Sequence, residues 1–310
     1  MNDYITLSSG IVLAGIGGEL FVRGVVKLGR WARISPGIVA VTFAAFATSS
    51  PEFSVGINAA LARAPQISLG DALGSNVVNV GLILGLALVI GGMRATRTEV
   101  KRDFPVALIV PVIIGVMTID GLVSRIDGII LLAIFTGWLI AVVLEARRQR
   151  NAAEKVIEEH RHWLSIIFST VGLGLLILAG RLIVTGATGI AAAWGLGTFV
   201  VGAVIVAVGT SVPELATAVI AKIRGHDEIG LGTILGSNIF NCLWIIGIVS
   251  IICPIVISFR EVAMALSFGI ATVILTYPTR NGMISRWRGM VLLVLYIVYV
   301  LITIKPANHI

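Results

Sequence analysis

Charged residues are scarce in this chain of 310 residues, and so are cysteine and proline. Only 13% of the residues are charged, whereas 57% are hydrophobic and the mean hydropathy is +1.02. A soluble protein has about a quarter of its residues charged, so the composition excludes that class. The two cysteines, Cys242 and Cys253, lie in apolar stretches, which excludes a disulfide framework and a zinc-ligand spacing. The net charge of +7 is spread over loops, which excludes a nucleic-acid-binding patch.

Long apolar runs are what the sequence has instead. Each is about 20 residues long, which is the length that a helix needs to cross a bilayer. The predicted spans are 5–29, 36–62, 67–91, 104–124, 127–146, 163–189, 196–222, 229–252, 260–277 and 288–305. The sequence therefore predicts an all-α integral membrane protein with ten transmembrane helices.

One polar segment divides these spans into two sets of five. It runs from Glu145 to His162 and is the only long polar connection between spans. We therefore predict an N-terminal half over 1–146, a linker over 147–162 and a C-terminal half over 163–310.

The basic residues of the loops predict the orientation of the chain. The loops after the odd-numbered spans hold nearly all of them, whereas the loops after the even-numbered spans hold Arg63, Arg125 and Arg260. Loops rich in Lys and Arg stay in the cytoplasm. We expect a multi-pass protein of the cell membrane with a cytoplasmic linker and both termini outside.

A segment of the first half recurs in the second half. Residues 47–85 align without a gap with residues 209–247, and 15 of the 39 aligned positions are identical. The two repeated units extend over about 36–91 and 196–252. Because each half has an odd number of spans, the second unit enters the membrane from the opposite side. Inverted repeats of this kind are typical of secondary transporters, whose binding sites lie where the repeats meet. Duplication of a packing unit explains matched glycines but not matched carboxylates.

Two carboxylates occupy equivalent positions in the repeats. Glu52 and Glu214 lie well inside their predicted spans, where an ionised side chain costs about 2.5–3.5 kcal/mol on insertion scales. A bound cation would offset that cost at both positions. The alternative is a protonated or ion-paired structural Glu, for which Arg23 and Arg181 are the available partners, although Arg23 is better placed to pair with Glu19.

A proline precedes each of these carboxylates. Pro51 and Pro213 remove a backbone donor and break the helix, which frees carbonyl oxygens one turn back. In a membrane, such a break is tolerated where it lines a cavity or binds an ion. Free carbonyls, hydroxyls and a carboxylate make an all-oxygen ligand set, which suits Ca²⁺, Na⁺ or Mg²⁺ rather than zinc or copper.

Hydroxyl and amide groups are repeated in the following spans. Ser75 and Asn79 lie four residues apart on one helix face, and Ser237 and Asn241 repeat this arrangement. They are either neutral ligands for a monovalent ion or hydrogen-bonding groups between helices. Symmetry with the two Glu motifs favours the ligand role. Asp71, whose repeat partner is Thr233, lies near the outer end of its span, where a surface or entry role is expected.

With these motifs, the chain resembles the cation/calcium antiporter superfamily, and within it the microbial sodium/calcium exchangers. The repeats are similar to that family's two α-repeats, whose hallmarks are G-T-S-x-P-E and G-S-N-x-x-[ND]. The resemblance implies that Ca²⁺ lies at the centre and that Na⁺ occupies flanking sites. The implied central ligands are Glu52, Glu214, the backbone oxygens of Thr48 and Thr210, and Asn79 and Asn241. The implied flanking ligands are Ser49 and Ser75 with Glu52, Ser211 and Ser237 with Glu214, and the backbone oxygens of Ala45 and Ala207.

Two positions depart from the family pattern. Ala47 stands where Gly is usual, which stiffens that break, and Asn241 stands where some relatives carry Asp. Asn241 leaves two central carboxylates, which disfavours Ca²⁺/H⁺ exchange without excluding it.

The expected function is therefore Na⁺/Ca²⁺ antiport by alternating access, in which the competing ions share the two buried glutamates. A Ca²⁺/H⁺ antiporter is the alternative, and a passive cation channel is less favoured because channel filters are usually built around symmetric subunits. Neither an enzyme motif nor a cofactor-binding motif is present in the sequence. We expect a protein that functions as a monomer in the lipid bilayer, with Ca²⁺ and Na⁺ as its only partners.

Overall fold

The computed structural model describes residues 3–152 apart from 33, 62 and 64, residues 162–193, and residues 207–304 apart from 258. The helices of these residues are α1 (Asp3–Ala32), α2 (Pro36–Val39), α3 (Ala45–Thr48), α4 (Ser50–Leu61), α5 (Pro65–Val77), α6 (Gly85–Ile90), α7 (Phe104–Met117), α8 (Arg125–Ala152), α9 (His162–Ala193), α10 (Ala207–Thr210), α11 (Val212–Ile223), α12 (Asp227–Ile239), α13 (Ile246–Ile252), α14 (Phe259–Thr276) and α15 (Arg286–Ile304). Four short strands are β1 (Met93–Arg94), β2 (Leu122–Val123), β3 (Ile255–Val256) and β4 (Met283–Ile284).

The described helices follow the ten predicted spans, and residues 194–206 of the seventh span lie outside the described residues. Within the described chain, five helices are long and apolar enough to cross a membrane, and the bent pair on either side of Ser49 adds a sixth. The other predicted spans are helical but shorter or interrupted. For example, α7 has 14 residues and follows a π-helical segment, Glu99–Asp103.

Two π-helical segments occupy equivalent positions in the repeats. Val78–Leu84 joins α5 to α6, and Phe240–Ile245 joins α12 to α13. The start of the second segment lies 162 residues after the start of the first, which is the spacing of the sequence repeat. A π-helical turn widens the helix by one residue and is frequent at functional sites. Here each one contains or adjoins the asparagines of the repeated motif.

The four strands pair across the two halves of the chain. Strand β1 pairs antiparallel with β4, with Met93 opposite Ile284, and β2 pairs antiparallel with β3, with Val123 opposite Ile255. The two ladders are repeat equivalents of each other, because β3 follows β1 by 162 residues. They lie at opposite ends of the helices, so we name the two ends the β1–β4 face and the β2–β3 face.

The two repeats run in opposite directions between these faces. The first residues of α5 lie at the β2–β3 face, where the Gln66 side-chain amide donates to the carbonyl of Val256 at 3.1 Å. The equivalent helix α12 begins at the β1–β4 face, where Asp227 accepts the backbone N–H of Arg94 at 2.8 Å. The chain is therefore built from two inverted repeats.

Loop charge follows the same division. The β1–β4 face gathers basic residues from the ends of several spans, namely Arg94, Arg97, Lys222, Arg224, Arg280 and Arg286. At this face, the ammonium group of Lys222 contacts the carbonyl of Gly92 and the carboxylate of Asp227. The two ladders thus separate a strongly basic face from one with few basic residues.

Helices α1 and α9 pack closely along their length. A Cβ added at Gly24 would lie 2.3 Å from the Ser169 hydroxyl, and one added at Gly172 would lie 2.5 Å from the backbone nitrogen of Phe21. Small residues permit this approach, as in other membrane helix pairs. These two helices, which are the first of each repeat, therefore form one packed pair.

Helix α8 extends further than its predicted span. It continues to Ala152, so residues 147–152, which were assigned to the linker, are helical. Arg147 and Arg148, at the start of this extension, are exposed, as charged side chains are where a helix leaves the apolar layer. Residues 153–161 of the predicted linker lie outside the described residues, and the division of the chain at this linker stays a prediction.

Candidate ion-binding site

Each repeat contains a broken helix at the predicted proline motif. The break falls at Ser49 between α3 and α4 and at Ser211 between α10 and α11. The backbone angles are almost the same, with φ −83° and ψ 11° at Ser49 and φ −86° and ψ 9° at Ser211. The first break bends its span by 44°. The two proline motifs therefore produce one local structure twice.

Equivalent backbone hydrogen bonds bridge the two breaks. The N–H of Ser49 donates to Ala45 at 3.0 Å, and the N–H of Phe53 donates to the carbonyl of Ser49 at 3.0 Å. The bonds of the second break are equivalent and join Ser211 to Ala207 at 3.3 Å and Leu215 to Ser211 at 2.9 Å. Each proline has no N–H to donate across the break, which agrees with the predicted release of a carbonyl one turn back.

Glu52 and Glu214 lie in the first turn of the helices that follow the breaks. Their exposed fractions are only 2% and 0%. Negative charge is stabilised at a helix N-terminus, where backbone N–H groups have no helical partner. The two carboxylates interact electrostatically with one another, and Asp71 interacts with both. The repeats therefore bring two like charges together in a site that excludes water.

The serines of the site are grouped differently from the expectation. The family resemblance placed Ser49 with Ser75 and Glu52. In the structure, the hydroxyl of Ser49 donates to Oε1 of Glu214 at 3.1 Å, and Ser237 donates to the same oxygen at 3.1 Å. These contacts differ from the grouping that the resemblance implied, and the grouping of ligands around an ion stays a prediction. The broken helices lie side by side at the site, so the serine at one break faces the carboxylate of the other repeat.

A hydrogen-bond network of four asparagine side chains joins the repeats beside the carboxylates. The side chain of Asn76 donates to the backbone carbonyl of Asn238 at 3.2 Å, and that of Asn238 donates to the backbone carbonyl of Asn76 at 3.4 Å. Asn79 then donates to Oδ1 of Asn238 at 3.0 Å, and Asn241 donates to Oδ1 of Asn76 at 3.2 Å. These contacts obey a two-fold symmetry.

This hydrogen-bond network determines which side-chain atoms of Asn79 and Asn241 remain without a partner. Because their nitrogens are used as donors, their oxygens are the atoms left without a partner. Both oxygens are buried and accept no hydrogen bond. Each amide therefore donates between helices through its nitrogen and presents an oxygen without a partner, which is compatible with both roles that the sequence left open.

Other oxygens of the site are also unpaired. The buried oxygens without a hydrogen-bond partner include Oε2 of Glu52, Oε2 of Glu214, and the hydroxyls of Ser75 and Ser211. Burying a polar atom without a partner costs about 1–3 kcal/mol, so several such atoms in one place need a common explanation. A cation fits, because it is attracted to carboxylate, hydroxyl and amide oxygens at once.

The threonines use their hydroxyls within their own helices. The hydroxyl of Thr48 donates to the carbonyl of Ala45 at 3.3 Å, and that of Thr210 donates to the carbonyl of Ala207 at 3.1 Å. Each hydroxyl also interacts with the carboxylate of the other repeat, Thr48 with Glu214 and Thr210 with Glu52. Each threonine can therefore offer its side chain as well as its backbone carbonyl to the site. All twelve residues that the sequence singled out lie at the two breaks or on the π-interrupted helices beside them.

Sequence reasoning gave no role to Asn76 and Asn238, which hold the other two asparagines in position. A signal was present, because both belong to the identical G-S-N segments of the repeats. Their spacing from the serines pointed away from the expected ligand face, so only the contacts revealed their function.

An apolar cavity of about 380 Å³ lies beside the first break, between Ala45 and Gly236. Aromatic side chains, including Phe46, Phe135 and Phe240, line most of it, and the lining contributes almost no polar surface. It therefore offers no ligands for an ion, and the oxygen-lined centre is distinct from it.

The sequence profile of a known family covers nearly the whole chain. The profile described as "Sodium/calcium exchanger protein" matches residues 3–144 and again residues 164–305. The chain belongs to this family. Its similarity to some members extends over more than 90% of its length.

Relatives and a solved structure agree with that membership. The chain is 24% identical to the sodium/calcium exchanger MaX1 of Methanosarcina acetivorans over 97% of its length and 98% of that protein. It is 34% identical to the inner membrane protein YrbG of Escherichia coli over 79% of its length and 78% of that protein. It matches a structure of the sodium–calcium exchanger NCX_Mj, soaked with Na⁺ and Sr²⁺, with a TM-score of 0.83 at 29% identity, covering 97% of this chain and 99% of that one.

These findings define the class of the protein. Several of its relatives are named exchangers, and the family is not an enzyme family but an exchanger family, which transports ions without a cofactor. The family and the structural match support antiport of Ca²⁺ against a second cation across a membrane.

Proposed function

We propose that the protein exchanges Na⁺ for Ca²⁺ by alternating access, and that the two kinds of ion compete for Glu52 and Glu214. The observation that carries the proposal is the set of unpaired buried oxygens around these two carboxylates. The neutral ligands alone would suit a weakly held monovalent ion. Adding two carboxylates provides the charge that a divalent ion requires.

Charge balance couples the two ions. Two buried carboxylates carry two negative charges, and leaving them without a counter-charge in a low-dielectric site is costly. One Ca²⁺ neutralises both, and so do two or more Na⁺ ions. The empty site is therefore the unfavourable state, and movement between the two access states occurs with a load bound.

We propose the following ligand set. The central position uses Glu52, Glu214, the backbone oxygens of Thr48 and Thr210, and the amide oxygens of Asn79 and Asn241. Flanking positions follow the observed contacts, so that Ser49 and Ser237 accompany Glu214. By symmetry, Ser211 and Ser75 accompany Glu52, with the carbonyls of Ala45 and Ala207 completing the two sides.

The moving part in this proposal is the packed pair of α1 and α9. Its glycine-lined contact lets the two helices shift together as one body against the helices that hold the site. The positive-inside rule assigns the basic β1–β4 face to the cytoplasm and both termini to the outside. We further propose that a monomer in the bilayer is the working unit, because both carboxylates come from one chain.

The test is uptake of ⁴⁵Ca²⁺ into proteoliposomes loaded with Na⁺, compared with vesicles loaded with choline. Uptake by the wild-type protein should require internal Na⁺. Glu52→Gln and Glu214→Gln should each reduce it at least about 100-fold, since either change removes a charge that binds both ions. The matched control is Asp120→Asn, which removes an exposed carboxylate from a loop and should leave uptake unchanged.

The counter-ion distinguishes the two antiport functions. Ca²⁺/H⁺ antiport is the second candidate, because the same two carboxylates can take up protons in place of Na⁺. Uptake that ignores Na⁺ and follows a pH gradient would replace the Na⁺ proposal with this one. Flux without any counter-ion gradient would contradict both.

A further inference from the structure

We propose that Asp71 is a third carboxylate of the cation path, and that it draws divalent ions from the β2–β3 face into the Glu52–Glu214 centre. This rests on the proposed function and adds a residue that determines specificity at the entrance. Three observations carry it: the place of Asp71 on its helix, the depth to which exposure reaches, and the residue at its repeat position.

The place of Asp71 directs it towards the site. It lies four residues before Ser75, which puts the two side chains on one face of α5, about 6 Å apart along the helix axis. Its carboxylate interacts electrostatically with both Glu52 and Glu214. Among the described side chains, no Lys, Arg or His forms an ion pair with it, so its charge is available to a passing cation.

Exposed residues extend closer to the site along α5, from the β2–β3 face, than along α12, from the β1–β4 face. On α5, Gly70 is exposed and Asp71 is half-buried, and every residue from Ala72 to Gly81 is buried. Asp71 is therefore the last accessible residue before Ser75. On α12, burial begins at Ile229, which is about 12 Å along the axis from Ser237. On the side of the β2–β3 face, about one helical turn separates the site from the partly exposed carboxylate of Asp71. On the side of the β1–β4 face, a longer buried segment separates the site from the first exposed residues.

The repeat position shows that the carboxylate is not part of the symmetric scaffold. Thr233 lies 162 residues after Asp71 and is fully buried, with a hydroxyl that has no partner. A group needed only for packing or for the central ligand shell would occur on both sides, as the Glu, Ser and Asn residues do. Asp71 therefore gives one entrance a negative charge that the other lacks.

Physical chemistry predicts a selective effect. The attraction between a fixed carboxylate and an ion scales with the charge of the ion, so Ca²⁺ gains twice as much as Na⁺ at the same distance. A local negative potential raises the concentration of the ion at the entrance and its rate of arrival. Asp71 should therefore lower the KM for Ca²⁺ without changing the rate of the transport step.

The experiment measures Ca²⁺/Ca²⁺ exchange, with ⁴⁵Ca²⁺ outside and unlabelled Ca²⁺ inside, because this mode needs neither Na⁺ nor a pH gradient. Right-side-out and everted membrane vesicles present Ca²⁺ to opposite faces. Asp71→Asn should raise the KM for Ca²⁺ by about three- to tenfold at the β2–β3 face, with kcat unchanged. The KM at the β1–β4 face should stay within about twofold of wild type, and high ionic strength should reduce the difference between variant and wild type.

Two further variants make the result specific. Asp71→Glu keeps the charge and should restore the KM of the wild-type protein. Asp120→Asn removes another carboxylate at the β2–β3 face, one that accepts the N–H of Leu122 at 3.1 Å, and should have no effect.

The outcomes separate this inference from the proposed function. An unchanged KM in Asp71→Asn would overturn it, and so would an equal loss of kcat at both faces, which indicates a structural role. An equal increase in Asp120→Asn would also overturn it, because general surface charge would then suffice. If wild-type vesicles show no Ca²⁺ exchange, the proposed function itself fails.

Discussion

The two repeats match closely at the centre of the molecule and diverge within one helical turn of it. At the centre, the breaks at Ser49 and Ser211 have the same backbone angles, and the amide contacts of Asn76 and Asn238 mirror each other. One turn outward, Asp71 faces a position occupied by Thr233. The comparison indicates that the ligand shell tolerates little asymmetry, whereas the approaches to it are free to differ.

Among variants that compare the two repeats outside the carboxylates, the largest effect is expected at the centre. Asn76→Ala and Asn238→Ala should raise the KM for Ca²⁺ by about tenfold each, because either change removes the acceptor that orients a site amide, at about 1–1.5 kcal/mol for the lost bond. The two variants should agree within about threefold, as the two-fold symmetry requires. The measurement is the Ca²⁺ dependence of ⁴⁵Ca²⁺ uptake.

The control for this pair is Asn281→Ala, in an exposed loop, where the KM should not change. If one of the two central variants behaves like the control while the other loses affinity, the centre is not energetically symmetric. The match between the repeats would then be geometric only.

The next prediction concerns the outer turns of α5 and α12, where the same substitution at equivalent positions should change stability differently. A Cβ at Gly232 would lie 2.9 Å from the carbonyl of Gly37 and 3.0 Å from the Cβ of Ala40. Gly70, its partner, is exposed, and no described atom lies within 4 Å of its added Cβ. Gly232→Ala should lower stability by about 1–3 kcal/mol through overpacking, whereas Gly70→Ala should be neutral or slightly stabilising because alanine favours the helix.

The readout is the thermal unfolding midpoint of the purified protein in detergent, followed by tryptophan fluorescence. Equal midpoints for Gly232→Ala and Gly70→Ala would contradict the difference in packing between these two positions.

The smallest effect is expected at Glu19, whose repeat position is Arg181. Its carboxylate pairs with Arg23 and Arg224, and both arginines are about half exposed. Such pairs contribute less than about 1 kcal/mol, so Glu19→Gln should leave Ca²⁺ uptake within about twofold of wild type. A loss above tenfold would place this ion pair in the transport machinery and show that asymmetric charges away from the entrance also matter.

Much of this architecture could be predicted from sequence because its determinants are local. Apolar length predicts a span, and a proline beside a buried Glu predicts a broken helix, as found around Ser49. The pairing of Ser49 with Glu214 could not be predicted, because it depends on how two broken helices cross. Likewise, residues 147–152 were assigned to a linker on their polarity, although a helix can continue into water with polar side chains. A surface or entry role was predicted for Asp71, but its interaction with both carboxylates required the three-dimensional arrangement.

The pairing of strands between the two halves has a consequence for the synthesis of the protein. Strand β2 leaves the ribosome long before β3, its only partner in the described sheets, which follows the linker and three further spans. During translation, the first half therefore lies in the bilayer with strand β2 unpaired. The side-chain amides of Asn76 and Asn79 then also lack their acceptors, which belong to the second half. Its tertiary structure can be completed only when the second half has been inserted. Such a chain depends on late, long-range contacts, which form slowly. A ribosome that stops halfway would release a fragment that carries Glu52 without Glu214 and so holds half of a binding site.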